Sequence, residues 1–169
     1  MFRASENVED SAEAGRADFL AKSPKKIDVV MGISASGNAE YVASALIAAK
    51  EIGCVTVSLS SNDDCKIGRI ADIPIFVDTG AEVISGSTRM KAGNSQKFVL
   101  NMITTCAMAK TGKVYENLMI NLRPTNKKLK QRMIGIVAEV CEVSDEAALG
   151  LLEENEFSIR RVFEKFGKV

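Results

Sequence analysis

The chain has 169 residues, 46% hydrophobic and 26% charged, a mixture that fits one globular domain, or one with a small appendage. Lys+Arg and Asp+Glu both number 22, so no net field draws it to nucleic acid or to an anionic membrane surface. Histidine is absent, which excludes Ser-His and Cys-His nucleophile pairs and leaves acid–base chemistry to carboxylates, Lys, Tyr or Cys. Cys54, Cys65, Cys106 and Cys141 are widely spaced and read as buried, reduced thiols of a cytoplasmic protein, not as a zinc site. No leader pattern and no long apolar run argue for export or membrane insertion.

Residues 1–20 read as a polar helix with Glu6, Glu9, Asp10 and Glu13 at spacings of three and four. On the residues alone this is a solvated face. Residues 27–52 are the organising stretch. Ile27, Val29, Val30, Met31 and Ile33 form an apolar run that breaks at Ser34-Ala35-Ser36-Gly37, and Tyr41, Val42, Ala45, Leu46 and Ala49 then recur at helical spacing. Gly53 stands where a helix-ending glycine belongs. Strand, small polar turn and helix leave backbone N–H groups unpaired at the helix start, beside the hydroxyls of Ser34 and Ser36. That arrangement suits an anion, phosphate above all, although an ordinary N-cap uses the same residues.

Residues 54–59 predict a second buried strand, residues 65–70 a brief helix and residues 73–77 a third strand. Strands alternating with helices imply a parallel sheet with right-handed crossovers and ligands beyond the strands' carboxyl ends. The third loop, residues 79–93, offers Ser85, Ser87 and Thr88 as hydroxyls and Arg89 and Lys91 as cations before a long apolar helix over 90–111. It reads as a ligand loop in preference to a capping turn with two solvated bases. Residues 112–123 form a connector. Beyond it, Leu129, Met133, Ile136, Val137 and Val140 share a helix face, Ser144-Asp145-Glu146 starts another helix, and residues 157–166 form the last. The predicted organisation is therefore an α/β domain over 1–111, the connector, and a small helical bundle over 124–169.

Four stretches carry a resemblance: residues 6–10 (ENVED), 32–37 (GISASG), 82–97 (EVISGSTRMKAGNSQK) and 100–119 (LNMITTCAMAKTGKVYENLM). Together they resemble the N-acetylmuramic acid 6-phosphate etherases of the sugar isomerase (SIS) superfamily. The glucokinase regulatory protein, which binds sugar phosphates without cleaving them, is similar too. The resemblance implies a SIS-type parallel sheet, here of about three strands, followed by the helical domain. It implies removal of the D-lactyl ether to give N-acetylglucosamine 6-phosphate and D-lactate, by elimination across C2–C3 of the open-chain sugar and addition of water. It implies a cytoplasmic homodimer in amino-sugar and cell-wall recycling, with no metal or cofactor. The family's second active-site glutamate carries over to Glu9, against the solvated-face reading. Ser34, Ala35, Ser36 and Gly37 fall where relatives hold the sugar phosphate. Ser87 and Thr88 lie in the other signature loop, which Glu82 and Lys91 also match without an assigned role.

The resemblance covers the later part of the family's chain. The expectation is a carboxy-terminal portion without the family's upstream acid–base glutamate, its incomplete sheet exposing a parallel edge and an apolar face. Asn38-Ala39-Glu40 stands where the family carries Arg-Thr-Pro, and a carboxylate at that helix start is expected to weaken anion binding. A non-catalytic sugar-phosphate binder and an aldose–ketose isomerase are the alternatives.

Overall fold

In the computed structural model residues 7–169 are described, and the chain divides into two units, Met1–Asn101 and Met102–Val169. The described part opens with a 3-10 turn, Val8–Asp10, followed by helix α1, Ala12–Leu20. Ser11 separates them: its backbone is extended (φ −88°, ψ 100°) and its hydroxyl accepts the Ala14 N–H at 3.1 Å, a standard N-cap. The helix expected over residues 1–20 is thus interrupted, so Glu9 and Glu13 lie in different elements and do not form one helical stripe. Glu6, the first acid of that stripe, lies outside the described residues.

Strand β1, Val29–Ile33, leads through residues 34–39 into helix α2, Glu40–Ile52, which Gly53 ends in the left-handed region at φ 90°. Strand β2, Val55–Ser60, helix α3, Lys66–Ile70, and strand β3, Ile73–Phe76, complete two parallel crossovers. The sheet order is β1-β2-β3, with Val29 opposite Val55 and Val57 opposite Ile73. Central strand β2 is buried from Thr56 to Ser60, as a strand flanked on both edges requires. Ala43, Leu46, Cys65 and Ile67 form the buried cluster against β1 and are joined by Val30, Val42 and Ile70. Gly32 lets α2 approach, since a Cβ there would lie 2.7 Å from Leu46 Cδ1. At the amino ends of the strands Ile27 and Val29 stay 87% and 67% exposed, and Val55 and Ile73 are exposed as well.

Helix α1 lies against α2 at Gly15, where a Cβ would fall 2.1 Å from the Tyr41 carbonyl oxygen, so only a side-chain-free residue permits this approach. The Tyr41 hydroxyl donates to Asp18 at 2.8 Å, which pushes its own pKa upward, and Arg16 pairs with Glu51 at 2.7 Å. A second clamp joins α2, β2 and the start of β3. Asp72 accepts from Lys50 Nζ at 2.8 Å and from the Thr56 hydroxyl and amide at 2.7 and 2.9 Å. Those donors, Lys50 first, hold its carboxyl far below the ordinary carboxylate range.

Helix α4, Lys91–Lys110, contains the boundary between the units and leaves Phe98, Met102, Ile103 and Met108 exposed. Cys106 lies on this helix and is exposed, so only Cys54, Cys65 and Cys141 match the expectation of four buried thiols; all four are free. The stretch read as a plain connector contains an antiparallel hairpin, β4 Val114–Tyr115 and β5 Leu118–Met119, turned at Glu116 with φ 50°. Helices α5 Lys127–Cys141, α6 Asp145–Glu154 and α7 Ile159–Lys165 follow, each N-capped by its predecessor's side chain: Asn126, Ser144 and Ser158. Met133, Val137, Leu152, Ile159, Val162 and Phe163 are fully buried between them, and Tyr115 of the hairpin meets Phe163 edge to face at 5.0 Å. Among the described residues no helix is long and apolar enough to cross a membrane.

Candidate functional site

Parallel strands place the loops after β1, β2 and β3 at one edge of the sheet, the carboxyl edge. The first loop is built by its own small residues. Ser34 continues the sheet by donating its N–H to the Leu59 carbonyl at 3.1 Å. Its hydroxyl accepts the Gly37 N–H at 3.1 Å and lies 3.4 Å from Ser36 Oγ, which accepts the Asn38 N–H at 3.3 Å. Gly37 is buried at φ 71°, and a Cβ there would lie 2.4 Å from both Cβ and Sγ of Cys65. Here glycine is required by conformation and by space.

The loop after β2 locks onto the first. Ser61 donates its N–H to the Ala35 carbonyl at 2.9 Å, Ile67 to the Gly37 carbonyl at 3.0 Å, and the Asn62 amide to the Ser36 carbonyl at 3.3 Å. Four of the expected binding residues, Ser34, Ala35, Ser36 and Gly37, therefore form one rigid cradle beside the start of α2. That helix start carries no side-chain cap. Its first N–H groups are the kind of donor an anion meets at a helix N-terminus.

Three residues not assigned a binding role from sequence shape this cradle. The Asn38 side chain accepts the Lys66 N–H at 3.1 Å, tying the loop to the start of α3. Glu40, expected to repel an anion, is gripped by the Lys66 ammonium, 2.6 Å from its Oε2. The carboxylate at this helix start is thus paired with a cation in place. No local pattern announces this: Lys66 and Glu40 are brought together only by the crossover between two helices.

In the third loop Glu82 has a definite task. Its carboxylate accepts the N–H groups of Lys91 and Ala92 at 3.1 and 3.0 Å and so caps α4 from upstream. Lys91 Nζ donates to the Ala81 carbonyl at 2.7 Å, closing the same bracket from the other side. Between these braces Ser87 is half-buried and Thr88 exposed, and the Thr88 carbonyl accepts the Gly93 N–H. The described hydrogen bonds of Glu82 and Lys91 stay within their own loop. Ser87 and Thr88 lie in the loop after β3, without a described hydrogen bond to the first cradle.

Glu82 also provides a pH test. The Ala92 and Lys91 amides, in that order, hold its pKa below the ordinary value, so this interaction is complete above the unfolded pKa of about 4.3 and is lost as pH falls through the folded value. The amide proton shifts of Lys91 and Ala92 are expected to titrate together with a midpoint below about 4.3, and Glu82→Gln is expected to remove both inflections. A midpoint above that value would refute the assignment.

Glu9 stands apart from both loops in the bonding. It is exposed in the 3-10 turn, which lies beside α2, the helix whose start adjoins the Ser34 cradle. Among the described residues no group of three or more His, Cys, Asp and Glu side chains is arranged to hold a metal ion.

Comparison with known proteins supplies what the geometry leaves open. No protein-family model matches the chain. It is 47% identical over 158 residues to the N-acetylmuramic acid 6-phosphate etherase of Oceanobacillus iheyensis, covering 94% of this chain and 54% of that protein. The proteins of the same name from Bacillus pumilus and Clostridioides difficile are 46% and 42% identical over 93% and 95% of this chain. The chain is similar to these etherases over nearly its whole length. It spans about half the length of these etherases, 52 to 54% of each. The similarity includes 93 to 95% of this chain.

Proposed function

We propose that the chain acts as an N-acetylmuramic acid 6-phosphate etherase, a carbon–oxygen lyase that releases D-lactate and N-acetylglucosamine 6-phosphate. The observation that carries this reading is the cradle formed by Ser34, Ala35, Ser36 and Gly37 beside the uncapped start of α2, in a chain 47% identical to an etherase. In this reading the sheet is of the SIS type, and residues 1–111 form the sugar-phosphate domain. Residues 112–123 connect it to the helical domain over 124–169. The protein works in the cytoplasm as a homodimer in cell-wall sugar recycling.

In this reading each residue has its own chemical task. Backbone N–H groups at the start of α2 and the Ser34 and Ser36 hydroxyls receive the 6-phosphate. Ser87 and Thr88 offer hydroxyls to the sugar, on a loop that Glu82 and Lys91 hold in shape. Glu9 exchanges protons at the sugar: a carboxylate takes the proton at C2 or, when protonated, assists lactate departure.

Two measurements on one sample test the reading: D-lactate release from N-acetylmuramic acid 6-phosphate, and the melting temperature with and without N-acetylglucosamine 6-phosphate. Lactate release, together with a ligand-induced rise in melting temperature lost in Ser34→Ala/Ser36→Ala, is the expected result. Stabilisation without lactate would leave a sugar-phosphate-binding protein, a ketose product would make it an isomerase, and neither response would overturn the assignment.

A further inference from the structure

The helical unit contains a cavity that the proposed reaction does not use. We propose that it binds a small phosphate-bearing anion. The cavity has a volume of about 350 Å³, within the usual range for small-molecule sites, and is lined by the two sides of the hairpin and by the start of α7 with the residues before it. Each contributes a cation: Lys113 from the stretch before the hairpin, Arg123 from the stretch after it, and Arg160 from α7.

Arg160 is fixed in place. Its Nη1 donates to the Gly112 carbonyl at 2.8 Å and its Nε to Glu164 at 3.3 Å. A Cβ at Gly112 would lie 2.6 Å from that Nη1, and Gly112 sits at φ 70°, so the glycine makes the room that the guanidinium fills. Glu156 is the one carboxylate in the lining, and Arg161 occupies it at 2.7 Å. The wall therefore carries Lys113 and Arg123 with no described ion pair, beside an Arg160 paired with Glu164, and its single carboxylate is paired with Arg161. Planar guanidinium groups match phosphate oxygens in pairs, and a lysine adds a point charge.

A second observation is independent of charge. Glu156 and Phe157, adjacent in the lining, both take left-handed backbone conformations at φ 54° and 55°. Consecutive non-glycine residues in this region are strained, and such strain collects at ligand clamps. Phe157 and Ile120 also give the cavity an apolar wall, which suits a carbon skeleton attached to the phosphate.

The site is distinct from the Ser34 cradle, and its test separates the two. The intact chain is titrated with inorganic phosphate and, separately, with glucose 6-phosphate, while the Nε–Hε resonances of Arg123 and Arg160 are followed by NMR. Saturable shifts are expected, weakened at least about tenfold by Lys113→Gln/Arg123→Gln and unchanged by Ser34→Ala/Ser36→Ala. Tighter binding of the sugar phosphate would identify a phosphorylated metabolite as the occupant, and tighter binding of inorganic phosphate would identify the free ion. Either supports the site. Non-saturating shifts, the same shifts from sodium chloride at equal ionic strength, or binding lost only in the Ser34/Ser36 variant would overturn it.

Discussion

Glu9→Gln is expected to lower the rate of D-lactate release by about 10²–10⁴-fold, the usual worth of a positioned acid–base group. The amide keeps the shape of the carboxylate but neither takes nor gives a proton at working pH. Because Glu9 is exposed, in a turn that holds no buried residue, the melting curve is expected to stay unchanged. The loss belongs in kcat, with KM little altered, since phosphate capture is assigned to the Ser34 cradle. A variant with full kcat would remove Glu9 from the chemistry. A variant with normal kcat and a raised KM would move it to binding.

Gly37→Ala is expected to abolish sugar-phosphate binding, a loss of at least about a hundredfold, without disturbing the helical unit. Two costs coincide at this position. A left-handed backbone imposes about 1–2 kcal/mol on a residue with a Cβ. The new methyl also enters the space of Cys65 Cβ and Sγ, 2.4 Å away, and overpacking of this kind adds about 1–3 kcal/mol. The Gly37 carbonyl receives Ile67 and its N–H meets Ser34, so moving this residue takes apart the joint between the first two loops. Isothermal titration with N-acetylglucosamine 6-phosphate reads the loss, and amide shifts of residues 127–165 report whether the helical unit is intact. Retained affinity would show that the cradle does not hold the phosphate.

The sheet was legible because its signals are local. Ile27 to Ile33 and residues 54–59 are apolar runs bounded by polar turns, and the helix between them has its apolar residues in phase. The cradle was legible for the same reason, since Ser34-Ala35-Ser36-Gly37 directly joins a strand to a helix. The interruption at Ser11 was masked because Glu6, Glu9 and Glu13 also satisfy helical spacing, and a serine serves as a cap or as a solvated residue. The hairpin at 114–119 was missed because two-residue strands have no periodicity to detect. Glu82 and the Lys66–Glu40 pair lie deeper. Their partners are nine or more residues away, and only the path of the chain decides who meets whom.

The strand order has a consequence for how the first unit is made. Each strand pairs with its immediate predecessor in the chain, Val29 with Val55 and then Val57 with Ile73, with one helix closing each step. No pairing within the described sheet waits for a later segment to be threaded between earlier ones. During synthesis β1 and β2 are able to join around α2 as soon as β2 leaves the ribosome, and β3 then adds to a formed template. The Ser34 cradle depends only on residues up to Ile67, so it is complete before the helical unit has been translated.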